Sequence, residues 1–354
     1  MHHLRDRYAA GAGYLAACTL GLPADVTRDA VARDLERWAS GTATAADYSA
    51  AVEGARGHAA TLLGTTPDRI ATGSQVSVFT GLAAASAPAG AEVLCVDGDF
   101  SSVVAPFLAR GDLRVRHVPL DALADEITPS TWLVSYSLVQ SATGEVADEA
   151  SVTAAARDAG ALTLVDTTQA TGWMPTDRVT GDLVVCHPYK WIGAPRGAAF
   201  TAFSDRAIAE LTPHTAGWYS GDDPWASCYG PELHLAAGAR RFEVSPAWHA
   251  WVGADAALGF AASLDMEAVR RHDLDLANAF RARLGLEPSD SAIVTWPDRT
   301  GCDLGALTAA GIVASGRAGR ARVAFHLWNT EEDVVRAADA VTAGAAAAPL
   351  SPRG

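Results

Sequence analysis

Leu164-Val165-Asp166-Thr167-Thr168-Gln169-Ala170 and, a little further on, His187-Pro188-Tyr189-Lys190-Trp191-Ile192-Gly193-Ala194-Pro195-Arg196-Gly197 decide how the chain is read. The first is an apolar run that ends in a carboxylate. The second follows another apolar run, 182–187, and sets a lysine in a turn rich in Gly and Pro. Both read as short buried strands with a chemically active group just past the end. Lys190 is the only lysine in the chain. Lysine is rare at buried strand ends, because an ammonium loses much of its hydration there. One reason to place it so is Schiff-base chemistry, for which burial lowers its pKa. The other is an Asp166–Lys190 ion pair that braces two loops. Spacing alone leaves both readings open.

Outward from this centre, strand-like runs at 91–97, 113–119, 132–137, 161–166, 182–187 and 198–203 alternate with helical patterns near 75–86, 101–110 and 151–159. The alternation predicts an α/β fold with a largely parallel sheet covered on both faces. Ligands of such sheets gather at the carboxyl ends of strands and at helix N-termini. Beyond Phe203 the pattern changes. The stretch 212–231 is rich in Gly, Pro, Trp and Tyr and reads as loop. One long helical segment is expected over 248–284, then strand-like 292–296, a helix at 304–310, strand-like 312–314 and 322–327, and a last helix from 330 to about 345. The predicted division is a large domain over 1–254 and a small C-terminal α/β domain over 255–354, with residues 1–40 or so packing on the small domain. The tail 349–354 is expected to fray.

At 354 residues and 49% hydrophobic, the chain can bury a large core. Its net charge of −14 argues against nucleic acid or an anionic membrane as partner. Cys18, Cys95, Cys186, Cys228 and Cys302 are scattered without a C-x-x-C pair, which disfavours a disulfide framework and a zinc site. No apolar run is long enough to span a membrane, and the N-terminus does not read as a signal peptide, so a cytoplasmic protein is expected.

The segment 166–197 resembles the cofactor segment of the class V aminotransferase and cysteine desulfurase superfamily, pyridoxal-phosphate enzymes of fold type I. In that pattern D-x-x-Q is followed by K-W-x-x-G-P-x-G or a close variant; here Ala194 separates Gly193 from Pro195. The resemblance implies pyridoxal 5'-phosphate as cofactor, with Lys190 as Schiff-base lysine and later the proton shuttle at the substrate α-carbon. Asp166 would pair with the ring nitrogen and keep it protonated, so that the ring acts as an electron sink. Gln169 would hydrogen-bond the ring's 3-oxygen. Ser141 stands where many relatives carry an Asn at that oxygen.

The likeness runs over nearly the whole chain. Tyr14-Leu15-Ala16-Ala17-Cys18 resembles the opening substrate-side strand. Ser74 and Gln75 fall in the turn before the helix that binds the phosphate, where N–H groups and a hydroxyl suit a dianion. Ser74 equally reads as an ordinary N-cap. Phe100 falls where relatives stack a ring on the cofactor, and a core Phe is the other reading. His187 and Tyr189 flank the lysine as implied phosphate ligands; the Tyr-Lys pair is similar to kynureninases. Trp218, in Gly217-Trp218-Tyr219, echoes the same enzymes and either lines the pocket or packs. Arg322 opens a stretch resembling R-x-S-x-x-x-Y-N-T-x-x-D and would clamp the substrate α-carboxylate by its planar fork. In the same stretch Asn329-Thr330-Glu331-Glu332 reads as the cap of the last helix. Ser245 falls where relatives reach into a neighbouring subunit's phosphate site, which implies a homodimer with the active site at its interface.

A lysine, a ring partner and a carboxylate clamp imply an α-amino acid substrate but leave the reaction open. Desulfurases need a cysteine shortly before the carboxylate-binding arginine, and 314–321 has none; Cys302 lies further back. The favoured expectation is β-elimination of the C–S lyase type from a cysteine-like amino acid, since a lysine alone suffices to take the α-proton. Aminotransfer comes next, then racemisation or kynureninase-like cleavage. Two other classes stand beside these: a dinucleotide-binding dehydrogenase, which lacks its G-x-G-x-x-G after the first strand, and a partner-binding homologue without catalysis. Cys18 is read as a small buried hydrophobe.

Overall fold

The computed structural model describes residues 2–347, so the tail 349–354 lies outside the described residues. A first turn, α1 (His2–Arg5), precedes two helices, α2 (Asp25–Ala39) and α3 (Ala45–Leu62). The alternating core follows: β1 (Ile70–Gly73), α4 (Val76–Ser86), β2 (Glu92–Val96), α5 (Ser101–Arg110), β3 (Arg114–Val118), β4 (Thr131–Ser137), α6 (Glu149–Ala159), β5 (Leu162–Asp166), β6 (Leu183–Cys186), β7 (Ala199–Phe203) and α7 (Asp205–Glu210). The seven strands lie in the order β1-β7-β6-β5-β4-β2-β3. Pairs from β3 through β6 are parallel, while β7 runs antiparallel to both β6 and β1. Both faces are covered, so the central strands are apolar without alternation. Leu162, Leu164, Leu183 and Val185 pack under α4 and α5, while Val165 joins the opposite core with Tyr136, Trp173 and Trp191.

After the loop stretch come α8 (Trp248–Ala262), α9 (Met266–Arg283), β8 (Ile293–Pro297), α10 (Cys302–Ala309), β9 (Ser315–Arg317), β10 (Arg320–Ala324) and α11 (Glu331–Ala347). Antiparallel β8-β10-β9 form a small second sheet. Fold type I is thus the architecture: a mixed sheet among helices with a small C-terminal sheet unit.

Several elements differ from the sequence expectation. The helix expected over 248–284 is two, because Asp265 accepts from the Ala268 N–H at 3.1 Å and starts α9 afresh. The strand expected at 312–314 lies at Ser315–Arg317, and Val313 instead bridges to Tyr14. Tyr14 and Ala16 make only isolated bridges, to Val313 and Ala324, where a strand was expected. Helices α2 and α3 were not anticipated. The buried face of α3 mixes Ala55, Ala59 and Ala60 with Arg56, Tyr48, Val52 and Leu62, and it approaches α8 closely: a Cβ on Gly54 would fall 2.4 Å from Asp255. That mixture leaves no regular stripe of large apolar side chains to read.

Edge strand β1 is tied down by a buried ion pair. Glu243, fully buried, accepts from Arg56 Nη1, from Arg56 Nη2 at 3.1 Å and from the Thr72 N–H at 2.8 Å. Arg56→Met would strand that carboxylate in the core, and is expected to cost about 3–5 kcal/mol in denaturant unfolding. A loss below about 1 kcal/mol would mean the pair does not hold the strand.

Candidate active site

Asp166 closes β5 at the carboxyl edge of the sheet. Its Oδ1 accepts from the Thr168 N–H at 2.8 Å, and Thr168 Oγ1 accepts from the His187 N–H at 2.9 Å, so the ends of β5 and β6 are laced together. Burial pushes the Asp166 carboxyl up to about 6, with Lys190 opposing that shift. Lys190 follows β6 and is 5% exposed. Burial pulls its ammonium down to about 8, against the attraction of Asp166. Among the described residues no carboxylate forms an ion pair with Lys190, which disposes of the bracing-pair reading. Its Nζ lies 5.3 Å from the Phe100 ring centroid and 5.7 Å from that of Tyr189. The lysine turn is gripped by the N-terminal segment: Gly21 N–H donates to Tyr189 O at 3.0 Å, and a Cβ on Gly21 would sit 1.6 Å from Lys190 O.

Gln169 is held from three sides. Its Nε2 donates to Cys18 O at 2.9 Å and to Ser141 Oγ at 3.1 Å, while the Trp191 indole donates to its Oε1 at 3.1 Å. The Trp191 carbonyl in turn bonds His326 Nε2 at 2.8 Å, and His326 Nδ1 lies 2.6 Å from Asp273. Arg322, 1% exposed on β10, donates to Ser141 O, to Ser141 Oγ at 3.0 Å, to Ser315 Oγ at 3.1 Å and to Thr19 Oγ1 at 2.8 Å. Among the described residues it has no carboxylate partner, and burial lowers its pKa. Ser141 is the hinge of this arrangement, since it meets both Gln169 and Arg322.

A cavity of about 110 Å³ gathers Lys190, Asp166, Gln169, Ser141, Phe100, Gln75, His187 and Tyr189 on its walls. Phe100 is 43% exposed, so the cavity opens past its ring. Ser74 lies just before the wall. It is not the N-cap of α4; Gln75 is, without a side-chain cap bond. Ser245 is exposed and away from the cavity. Trp218 packs on Tyr219 and Trp225 at 5.0 and 5.1 Å and does not line it. Asn329 and Thr330 do their structural work through Asp333, whose Oδ2 accepts the Thr330 N–H at 3.0 Å. Sequence reasoning passed over Thr168, Ser137, Ser102, Thr19 and Arg196. Thr168 and Arg196 stood inside the quoted motif; the other three carry no local signal.

A larger groove, about 1,100 Å³, lies nearby and is lined by Asp97, Asp121, Asp125, Glu145, Asp148 and Asp290 among others. It holds none of the candidate cations, so the chemistry belongs to the smaller cavity. Among the described residues no His, Cys, Asp or Glu group could hold a metal, and no helix is long and apolar enough to cross a membrane. Cys302 is exposed at the start of α10 and Cys18 is fully buried.

The donors fit pyridoxal phosphate. There is an amine for the aldehyde, a buried carboxylate for the ring nitrogen and a flat ring beside them. His187 Nε2, buried in the wall, has no hydrogen-bond partner.

The description Aminotransferase class-V matches residues 33–303. The chain is 31% identical over 259 residues to the kynureninase of Deinococcus radiodurans, covering 70% of this chain but only 62% of that protein. It superposes on a cysteine desulfurase of Escherichia coli with a TM-score of 0.83, at 18% identity and 98% coverage of both chains. It superposes on the cystine C-S lyase C-DES with a TM-score of 0.82, at 20% identity, covering 94% of this chain and 98% of that one. At these identities the two structures establish the fold. With the family match covering most of the chain and the site built for its cofactor, the chain belongs to the class V aminotransferases and is a pyridoxal-phosphate-dependent enzyme.

Proposed function

We propose that this enzyme acts on an α-amino acid by β-elimination of the C–S lyase type, on a cysteine-like substrate or conjugate. The carrying observation is the buried amine: Lys190 is the one lysine on the cavity wall, and the thiols within its electrostatic reach, Cys18 and Cys186, are fully buried and off that wall. When bound, pyridoxal phosphate supplies the sink for the electron pair freed at the substrate α-carbon. Lys190 Nζ takes the α-proton, and a pKa near 8 suits it to hold and return a proton around neutrality. Asp166 pairs with the cofactor ring nitrogen. Gln169, its Oε1 pinned by Trp191, would give the 3-oxygen the Nε2 N–H that now goes to Ser141 Oγ. Phe100 would cover the ring, Ser74 and Gln75 with the α4 N-terminus would take the phosphate, and His187 and Tyr189 would add donors. Arg322, fork already oriented by Ser141, Ser315 and Thr19, receives the α-carboxylate. The Cβ–S bond then breaks with its electrons on sulfur, giving a thiol, pyruvate and ammonia after hydrolysis. The solvent-facing Ser245 fits a homodimer in which it serves the partner's phosphate site.

The test is incubation of the cofactor-loaded enzyme with cystine, S-substituted cysteines and a panel of other amino acids. Pyruvate and ammonia should appear together, without need of a keto acid. Turnover only on adding a keto acid, with the cofactor's visible band lost until then, would make the enzyme an aminotransferase. A protein that binds cofactor but turns over nothing would be a non-catalytic homologue. Arg322→Lys keeps the charge but loses the fork, and is expected to raise KM about 10–100-fold with kcat less affected. Lost cofactor instead would move Arg322 to a structural role.

A further inference from the structure

We infer that Arg196, stacked on Tyr189, supplies the positive charge that binds the cofactor's phosphate. The inference rests on the pyridoxal-phosphate reading above and adds a residue to it. A phosphate dianion entering this cavity meets few full charges. Lys190 is committed to the aldehyde. Arg322 is turned toward Ser315, Ser141 and Thr19, across Ser141 from the cavity. His187 is neutral, because burial and the neighbouring Arg196 hold its pKa down at about 4. It therefore offers only an N–H, from a Nε2 that has no partner in a side chain 5% exposed. That unpartnered buried atom in the wall is itself a sign of a missing acceptor.

Arg196 lines the same cavity as His187, Gln75 and Val76. Its guanidinium lies 4.4 Å from the Tyr189 ring centroid, in cation–π contact, and Tyr189 stands 4.5 Å ring to ring from His187. Among the described residues it forms no ion pair, in a chain that carries 41 carboxylates. The α4 N-terminus completes the set: the helix starts at Val76 behind an N-cap Gln75 that makes no side-chain cap bond, and while the Val78 N–H donates to Gln75 O at 3.2 Å, the Val76 and Ser77 N–H groups remain for a ligand. Helix N–H groups, a neutral imidazole and one planar cation form a graded anion site, in which Arg196 is the positive charge on the cavity wall besides Lys190; Arg317 acts on Tyr189 from off that wall. Tyr189 acts as a positioning residue that holds the guanidinium over its ring.

The test compares pyridoxal phosphate with pyridoxal, which has the same aldehyde and ring but no phosphate. Cofactor-stripped full-length wild type and Arg196→Gln are titrated with each, reading the visible band of the lysine-bound form. Arg196→Gln should weaken pyridoxal phosphate at least tenfold and change pyridoxal less than twofold. Arg196→Lys, which keeps charge but loses the planar guanidinium, should fall between. Melting temperatures of the stripped proteins serve as the folding control. Equal losses for both ligands, or none for either, would overturn the assignment of Arg196. If wild type forms the band with neither ligand, the cofactor reading itself fails, and that outcome is separable because it does not involve the variant.

Discussion

Lys190→Ala is expected to fold normally and to turn over at least about 10⁴-fold more slowly, with the visible band of lysine-bound cofactor absent. The size follows from the two tasks the proposed mechanism gives Lys190: holding the cofactor and moving the α-proton. No neighbour can substitute. Burial and Arg196 hold the His187 pKa down at about 4, so it is a weak base, and burial raises the Tyr189 phenol. Stability should not fall, because a buried ammonium is a cost to folding rather than a contribution, as its lowered pKa shows. Steady-state rates and thermal melting check both halves. A variant with wild-type turnover would remove Lys190 from the mechanism; a variant that unfolds would make it a structural cation.

Asp166→Asn is the second large effect. Asparagine keeps the shape and can still accept the Thr168 N–H, so the fold is expected to survive. The charge opposite the ring nitrogen is lost, and with it the preorganised partner for a protonated ring. Removal of one such electrostatic group costs about 10²–10³-fold in kcat. The same change removes the attraction that holds Lys190 as high as about 8, so the lysine pKa of the stripped protein should drop further. Rates against pH, and titration of Lys190 by its reaction with an aldehyde, report the two effects separately. Unchanged kcat with a shifted lysine pKa would leave Asp166 as a tuning charge only.

How much was legible in the sequence depends on the range of the interaction. The Asp166, Gln169 and Lys190 pattern sits on two strands adjacent in the sheet, so its geometry follows from local pattern plus strand pairing. Arg322 was legible from its stretch, but its orienting partners were not: Thr19 stands 303 residues away and Ser141 181 away. Helices α2 and α3 escaped notice because their buried faces carry polar and small residues, Thr27 and Asp34 in α2 and Arg56 among alanines in α3, rather than a regular stripe of large apolar side chains. Trp218 fell off the cavity because a loop-rich stretch carries no register that would aim a side chain.

By itself the sequence determined the α/β class, the strand ends that carry chemistry and the lysine–carboxylate–glutamine set, because strand period and turn chemistry are local properties. Tertiary structure alone decided the absence of an Asp166–Lys190 ion pair and the neutrality of His187. It also decided the three-sided grip on Gln169 and the meeting of Ser141 with Arg322. Each of these depends on burial and on neighbours brought together from distant parts of the chain, and desolvation is a property of the packed whole.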